Sequence, residues 1–204
     1  MAALVISGRA FAQDYEAGAI RERFSYLKRA LLEQHGKEAA ALVDRGALAY
    51  YERMLEEART YDSSRLMQLP LYERMFVLSI RMQAIVHGTA GMTERPFFIY
   101  ATDKGLINKM AIPLNPCNIG EITFTQDSAT GRLKLDATVM PYYSIKFHYE
   151  SGSKSWKVNL PSLFTAFSRM TGTGSSDPEY MMMVIAIAYE KHVDASIWKP
   201  LVIQ

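Results

Sequence analysis

The spacing of apolar side chains divides the chain into a helical first part and a stranded second part. Between Tyr15 and His87 the period is helical: Ile20, Phe24, Leu27 and Leu31 recur at steps of four, three and four, one face of a 3.6-residue helix. His35-Gly36 is expected to end that helix, with glycine in the usual C-terminal position. Asp44 is the expected N-cap of a second helix with the stripe Leu48, Tyr51, Leu55 and Ala58. Pro70 suits the first turn of a third, whose stripe is Leu71, Met75, Leu78, Met82 and Ile85, closed by Gly88. Phe76, Val77 and Ile80 widen its apolar arc, so this third helix is expected to be the most buried.

The middle is broken by turn-rich segments, Thr89 to Pro96 and Pro113 to Gly120. Between them Phe97 to Tyr100 suits a strand, and a helical turn is expected after Thr102. From Glu121 to Leu160 the period changes to two. Ile122 and Phe124 alternate with threonines, and Asp127 to Gly131 reads as a turn. Leu133, Leu135, Ala137 and Val139 then alternate with polar residues, as do Tyr143, Ile145, Phe147 and Tyr149. Ser151-Gly152-Ser153 is a hairpin turn before Trp156, Val158 and Leu160. Antiparallel strands with one apolar face need a cover, and the helices supply it. A short helix over Ser162 to Met170 follows. Ser176-Asp177-Pro178-Glu179 then starts a last helix running to about His192. The fold class is therefore α+β: N-terminal helices on a curved antiparallel sheet, with an additional C-terminal helix.

Composition mainly excludes. Of 204 residues 49% are hydrophobic and 22% charged, with 23 Lys+Arg against 21 Asp+Glu spread over both halves, which gives no basic surface for nucleic acid. No run approaches the roughly 18 apolar residues of a membrane span. Ala2 to Ile6 is apolar, and Ala10-Phe11-Ala12 has the small-x-small form of a signal-peptidase site. Residues 1–14 are thus either an ordinary first strand or tail, or the end of a signal sequence, with 15–204 as a single domain. The first case implies the cytoplasm, the second the periplasm or secretion.

Candidate chemistry is sparse. Cys117 is the single cysteine, so no intrachain disulfide or multi-thiolate zinc site can form. His35, His87, His148 and His192 show no metal-ligand spacing, so no metal or other cofactor is expected. Gly172 to Ser176 lacks the lysine of a phosphate-binding loop. Asp136, Lys146 and His148 fall on the strands' polar face, pointing to solvent or a partner subunit, and no catalytic residue is identified. The inward set offers tyrosines and an indole. With 12 tyrosines and 12 methionines in the chain, these side chains read either as packing or as the wall of an apolar cavity. The candidate pocket residues are Tyr50, Tyr143, Phe147, Tyr149 and Trp156.

The segment Phe147-His148-Tyr149-Glu150-Ser151-Gly152-Ser153-Lys154-Ser155-Trp156-Lys157-Val158-Asn159-Leu160 resembles the closing hairpin of the nuclear-transport-factor-two-like superfamily, where a strand, a short turn and W-K-V recur. Ala41-Leu42-Val43-Asp44, followed by Leu48-Ala49-Tyr50-Tyr51, is similar to the helices of its bacterial members. The resemblance covers about residues 15–165 and implies a cystatin-like cone. That superfamily holds isomerases, dehydratases and cyclases, lipid carriers and non-catalytic dimer modules, so it speaks for fold more than function. The resulting expectation is a non-catalytic binding or accessory protein taking a hydrophobic small molecule, a lipid or a protein partner. A homodimer through the outer sheet face is a further possibility. A small isomerase, dehydratase or cyclase and a structural dimer module are the alternatives.

Overall fold

The computed structural model describes residues 3–87, 91–110, 114–164 and 177–201. The helices come first: α1 (Ala3–Leu32), α2 (Gly36–Leu42), α3 (Arg45–Thr60), α4 (Ser63–Leu66), α5 (Leu71–His87), α6 (Glu94–Asp103) and α7 (Leu106–Met110). A sheet follows, β1 (Cys117–Thr125), β2 (Ser128–Leu135), β3 (Thr138–Glu150) and β4 (Ser155–Asn159), then α8 (Pro178–Tyr189) and a 3-10 turn (Ala195–Trp198). The fold is α+β, with N-terminal helices packed on an antiparallel sheet and an additional C-terminal helix.

The stripes read for the first two helices are buried, and of the third Met75, Leu78 and Met82 are buried and Leu71 partly so, while the side chain of Ile85 lies outside the described residues. Ile20, Phe24, Leu27 and Leu31 of α1 are buried, as are Leu48, Tyr51, Leu55 and Ala58 of α3. Phe76, Val77, Leu78 and Ile80 make α5 the centre of the core. Asp44 caps α3 as expected, its Oδ1 accepting from the Ala47 N–H at 2.7 Å. The strands run antiparallel in the order β1-β2-β3-β4, and Val43 adds one parallel bridge to Val158 at the β4 edge. α1 lies across the sheet and is tied to β1: Arg21 donates to the Gly120 carbonyl at 3.0 Å and Lys28 to that of Cys117 at 2.9 Å.

Several boundaries differ from the sequence reading, each for a local reason. α1 begins at Ala3, so the segment expected as a strand or tail is helical. Gly36 does not end α1. Gln34, with φ 60°, turns the chain, and Gly36 starts α2. Its amide donates to Asp103 Oδ1 at 2.6 Å, and a Cβ at Gly36 would stand 2.4 Å from the Ile99 carbonyl oxygen. Phe97 to Tyr100 is not a strand: with Pro96 in its first turn, α6 buries Phe97, Phe98, Ala101 and Thr102, a helical spacing.

In the sheet, β1 starts at Cys117, earlier than expected, and β2 at Ser128, which shortens the preceding turn. The expected strand over 133–139 is two strands. The chain reverses at Asp136, φ 52°, with Leu135 paired to Thr138. Leu135 pairs with Thr138 and Lys134 with Val139, so the two-residue loop puts Leu135 and Val139 on opposite faces even though the alternation in the sequence is unbroken. Leu135 and Val139, expected to face the helices, are 39% and 42% exposed, and Ala137 is exposed too. At the C-terminal end Asp177 caps α8 by accepting from the Glu179 amide, with Pro178 in the first turn. That helix stops at Tyr189 because Glu190 is left-handed, not at His192. Only Met181, Ile185 and Tyr189 of α8 are buried, one stripe of an otherwise apolar helix. Gly88, most of the helix expected over 162–170, and Gly172 to Ser176 lie outside the described residues.

Two arginines of α5 are almost wholly buried and, among the described residues, neither forms a salt bridge with a carboxylate. Arg81 donates to the carbonyls of Ala58 at 2.9 Å, Ile197 at 3.3 Å and Glu57 at 3.3 Å, and to that of Tyr61. It therefore satisfies the C-terminal carbonyls of α3, where a cation also meets the negative end of the helix dipole. Burial pulls its pKa down to about 10. Arg74 does the same for the carbonyls of Met67 and Leu69, each at 2.9 Å, at the end of α4.

Candidate functional site

A cleft of about 290 Å³ opens where the N-terminal half of α1 crosses the end of the sheet, lined by Gln13, Glu16, Phe124, Gln126, Asp127, Tyr149 and Trp156. Strand register builds its aromatic wall. Tyr149 and Trp156 are cross-strand partners on β3 and β4, with ring centroids 5.5 Å apart at 69°. Phe124 of β1 also meets Trp156, at 6.0 Å and 61°. Such edge-to-face pairs follow the preferred geometry of aromatic quadrupoles. The opposite wall comes from α1, where Glu16 accepts the Trp156 indole N–H through Oε2. The β1–β2 turn closes the third side. Gln126 is left-handed there at φ 47°, and the Asp127 carbonyl accepts from the Tyr149 amide at 2.8 Å.

Of the five residues predicted for a pocket, Tyr149 and Trp156 come together in this cleft. Phe147 is fully buried behind them and Tyr143 is buried farther along β3. Tyr50 sits elsewhere, on α3. Its hydroxyl donates to Glu73 Oε1 at 3.2 Å, its ring packs edge-on against Tyr51 at 5.4 Å, and the Arg53 guanidinium lies 5.1 Å over it. Burial, with Glu73 beside it, pushes the Tyr50 phenol well above its usual pKa. Phe124 was visible in the alternation but not singled out. Glu16, Gln13, Gln126 and Asp127 carried no signal, because nothing local marks an α1 carboxylate as the partner of an indole 140 residues away.

A second constellation lies on the polar face. His148 does not point only to solvent: its Nδ1–H donates to Asp44 Oδ2 at 2.6 Å, since a carboxylate can only accept. Asn159 Nδ2 donates to the same oxygen at 2.9 Å, while Asp44 Oδ1 holds the α3 cap. The Asp44 carboxylate is nearly buried and the imidazole about half exposed, which leaves Nε2 toward the accessible side of an oriented ring. The surrounding outer face carries Ser128, Thr130, Arg132, Ser144, Lys146 and Lys157.

Behind Tyr50, Glu57 is almost fully buried. Its Oε1 accepts from Arg53 at 2.7 Å, and among the described residues Oε2 has no hydrogen-bond partner. Burial raises its carboxyl pKa, opposed by Arg53. Cys117 is buried, which pushes its thiol up, against the pull of Lys28, and disfavours the nucleophilic thiolate. Among the described residues no three His, Cys, Asp or Glu side chains form a metal-binding group, and no helix is long and apolar enough to cross a membrane. Comparison of the chain with known protein families, with curated proteins and with solved structures finds no match.

Proposed function

We propose that this is a non-catalytic binding protein that holds a small ligand in the cleft between α1 and the end of the sheet. The observation that carries the reading is the aromatic trio Phe124, Tyr149 and Trp156 opening onto a cavity of about 290 Å³ on the helix-covered face. Ligand sites are typically concave, aromatic-lined and supplied with a few polar groups. The volume lies at the lower edge of that class, which favours a metabolite-sized ligand over a long acyl chain. Kinship with the nuclear-transport-factor-two-like superfamily is supported only by the order of helices, antiparallel sheet and closing hairpin.

The test is a fragment screen followed by the indole N–H resonance of Trp156. Fragments that shift it in the native chain and lose affinity at least ten-fold in Trp156→Leu support the reading. A screen of several hundred fragments with no shift overturns it.

One observation favours a second reading, a small acid–base enzyme of the isomerase, dehydratase or cyclase kind. Asp44 orients His148 as a carboxylate orients a general base. On that reading turnover of a candidate substrate disappears in His148→Gln while fragment binding at Trp156 persists.

A further inference from the structure

We propose that the ligand of the aromatic cleft is a small organic cation, an ammonium group carrying apolar substituents. This rests on the binding reading above and names its substrate class. Three features of the walls converge on it.

The first is ring geometry. Tyr149 and Phe124 meet Trp156 at 69° and 61°, so aromatic surface bounds the cleft in more than one plane. Aromatic faces are the negative part of the quadrupole and attract cations, tryptophan most strongly. The second is charge. The described lining residues include two carboxylates, Glu16 and Asp127, two carboxamides, Gln13 and Gln126, and no lysine, arginine or histidine. An anionic ligand such as a fatty-acid carboxylate or a phosphate meets like charges there. The third is the bond between them. Glu16 accepts the indole N–H of Trp156, which draws positive charge away from the ring and leaves this wall of the cleft more negative, although Trp156 is itself only 6% exposed.

Size agrees with charge. A cavity of about 290 Å³ accommodates a substituted ammonium head and a short tail. The rings take its methyl or methylene groups and the carboxylates its charge, so neither kind of wall is left without a partner.

The decisive comparison uses choline and its uncharged carbon isostere 3,3-dimethylbutan-1-ol, which share shape but not charge. Each is titrated into the full chain at fixed ionic strength while the Trp156 indole resonance is followed, with Trp198→Phe assigning the signal. The expected result is choline binding at least ten-fold tighter than the alcohol. Glu16→Gln retains an acceptor for the indole, so it is expected to weaken choline several-fold and leave the alcohol unchanged. Near-ultraviolet circular dichroism of that variant establishes that the cleft is intact. Equal binding of the two probes overturns the cation class while the binding reading stands. If choline fails to shift the indole at millimolar concentration, the cation class also falls, and the fragment screen decides the binding reading separately.

Discussion

Replacing Asp44 with alanine removes three interactions at once, and their sum can be worked from the geometry. The α3 cap, Oδ1 to the Ala47 amide at 2.7 Å, is worth about 1 kcal/mol. Oδ2 also accepts from Asn159 at 2.9 Å; losing an acceptor for a part-buried amide costs about 1 kcal/mol. The bond from His148 is short at 2.6 Å, but the imidazole is 47% exposed and water replaces its partner, so about 0.5 kcal/mol is lost there. Asp44→Ala is therefore expected to lose about 2–3 kcal/mol, and His148→Ala less than about 1 kcal/mol. A double-mutant cycle should return a coupling of about 0.5–1 kcal/mol. Urea unfolding followed by far-ultraviolet circular dichroism measures all four species. Should His148→Ala cost as much as Asp44→Ala, the partition into cap and latch is wrong; a loss under about 1 kcal/mol for Asp44→Ala refutes the hub altogether.

Gly36→Ala is expected to cost about 2 kcal/mol, because its Cβ would meet the Ile99 carbonyl oxygen at 2.4 Å and backbone cannot retreat cheaply. Thermal melts should show a drop of roughly 4–8 °C, and an unchanged melt would mean the α2–α6 approach is looser than described. Arg81→Met should cost about 2–3 kcal/mol, since it removes the guanidinium donors from the buried carbonyls of Tyr61 and Ile197 and leaves those of Glu57 and Ala58 with only the Tyr61 and Leu201 amides. Hydrogen exchange should then rise over Ala195–Trp198, and an undisturbed turn there would count against this arginine as its tether. Lys154 is exposed and left-handed at φ 47°, so Lys154→Gly should stabilise by about 0.5–1 kcal/mol, read from the urea midpoint. Glu57 has its folded pKa raised by burial, so the native state binds the proton more tightly than the unfolded chain. Its contribution to stability is present at acid pH and is lost as pH rises through the folded value. Glu57→Gln should thus be at least as stable as the native chain at pH 7, and the advantage should vanish toward pH 4. A deficit at pH 7 that disappears in acid would show that the Arg53 ion pair outweighs burial.

Much of the scaffold was legible because helices write their buried face into the sequence. The stripes of α1, α3 and α5 and the caps at Asp44 and Asp177 all depend on residues a few positions apart. What misled was any feature decided by something distant. α6 contains a run of β-prone residues, and packing made it a helix. The hairpin at Asp136 hides within an unbroken alternation. Gly36 is required by Ile99 and Asp103, which approach from another helix. The site divides likewise. Tyr149 and Trp156 were readable from strand alternation, since facing follows from period two. Glu16 and the Asp44–His148 pair were not, because the bonded partners lie 140 and 104 residues apart.

The cleft is held open by the same contacts that hold the fold, which separates it from an accidental gap in packing. Glu16 stands one helical turn before Ile20, the first residue of the buried α1 stripe, so its position is set by the docking of that stripe. Arg21 and Lys28 fasten the next turns of α1 to β1 carbonyls. On the sheet side, ladder register places Tyr149 opposite Trp156, and the bond from the Tyr149 amide to Asp127 fixes the turn beside them. Each wall is thus positioned before any ligand arrives, and a preformed wall saves the ordering cost that weakens association. Loosening α1 should therefore reduce affinity without touching the rings. Arg21→Ala, which leaves every lining residue in place, is expected to weaken choline binding several-fold while the Glu16 carboxylate remains. If affinity survives that change intact, the walls are held by Trp156 and its neighbours alone, and the helix contributes a charge but no shape.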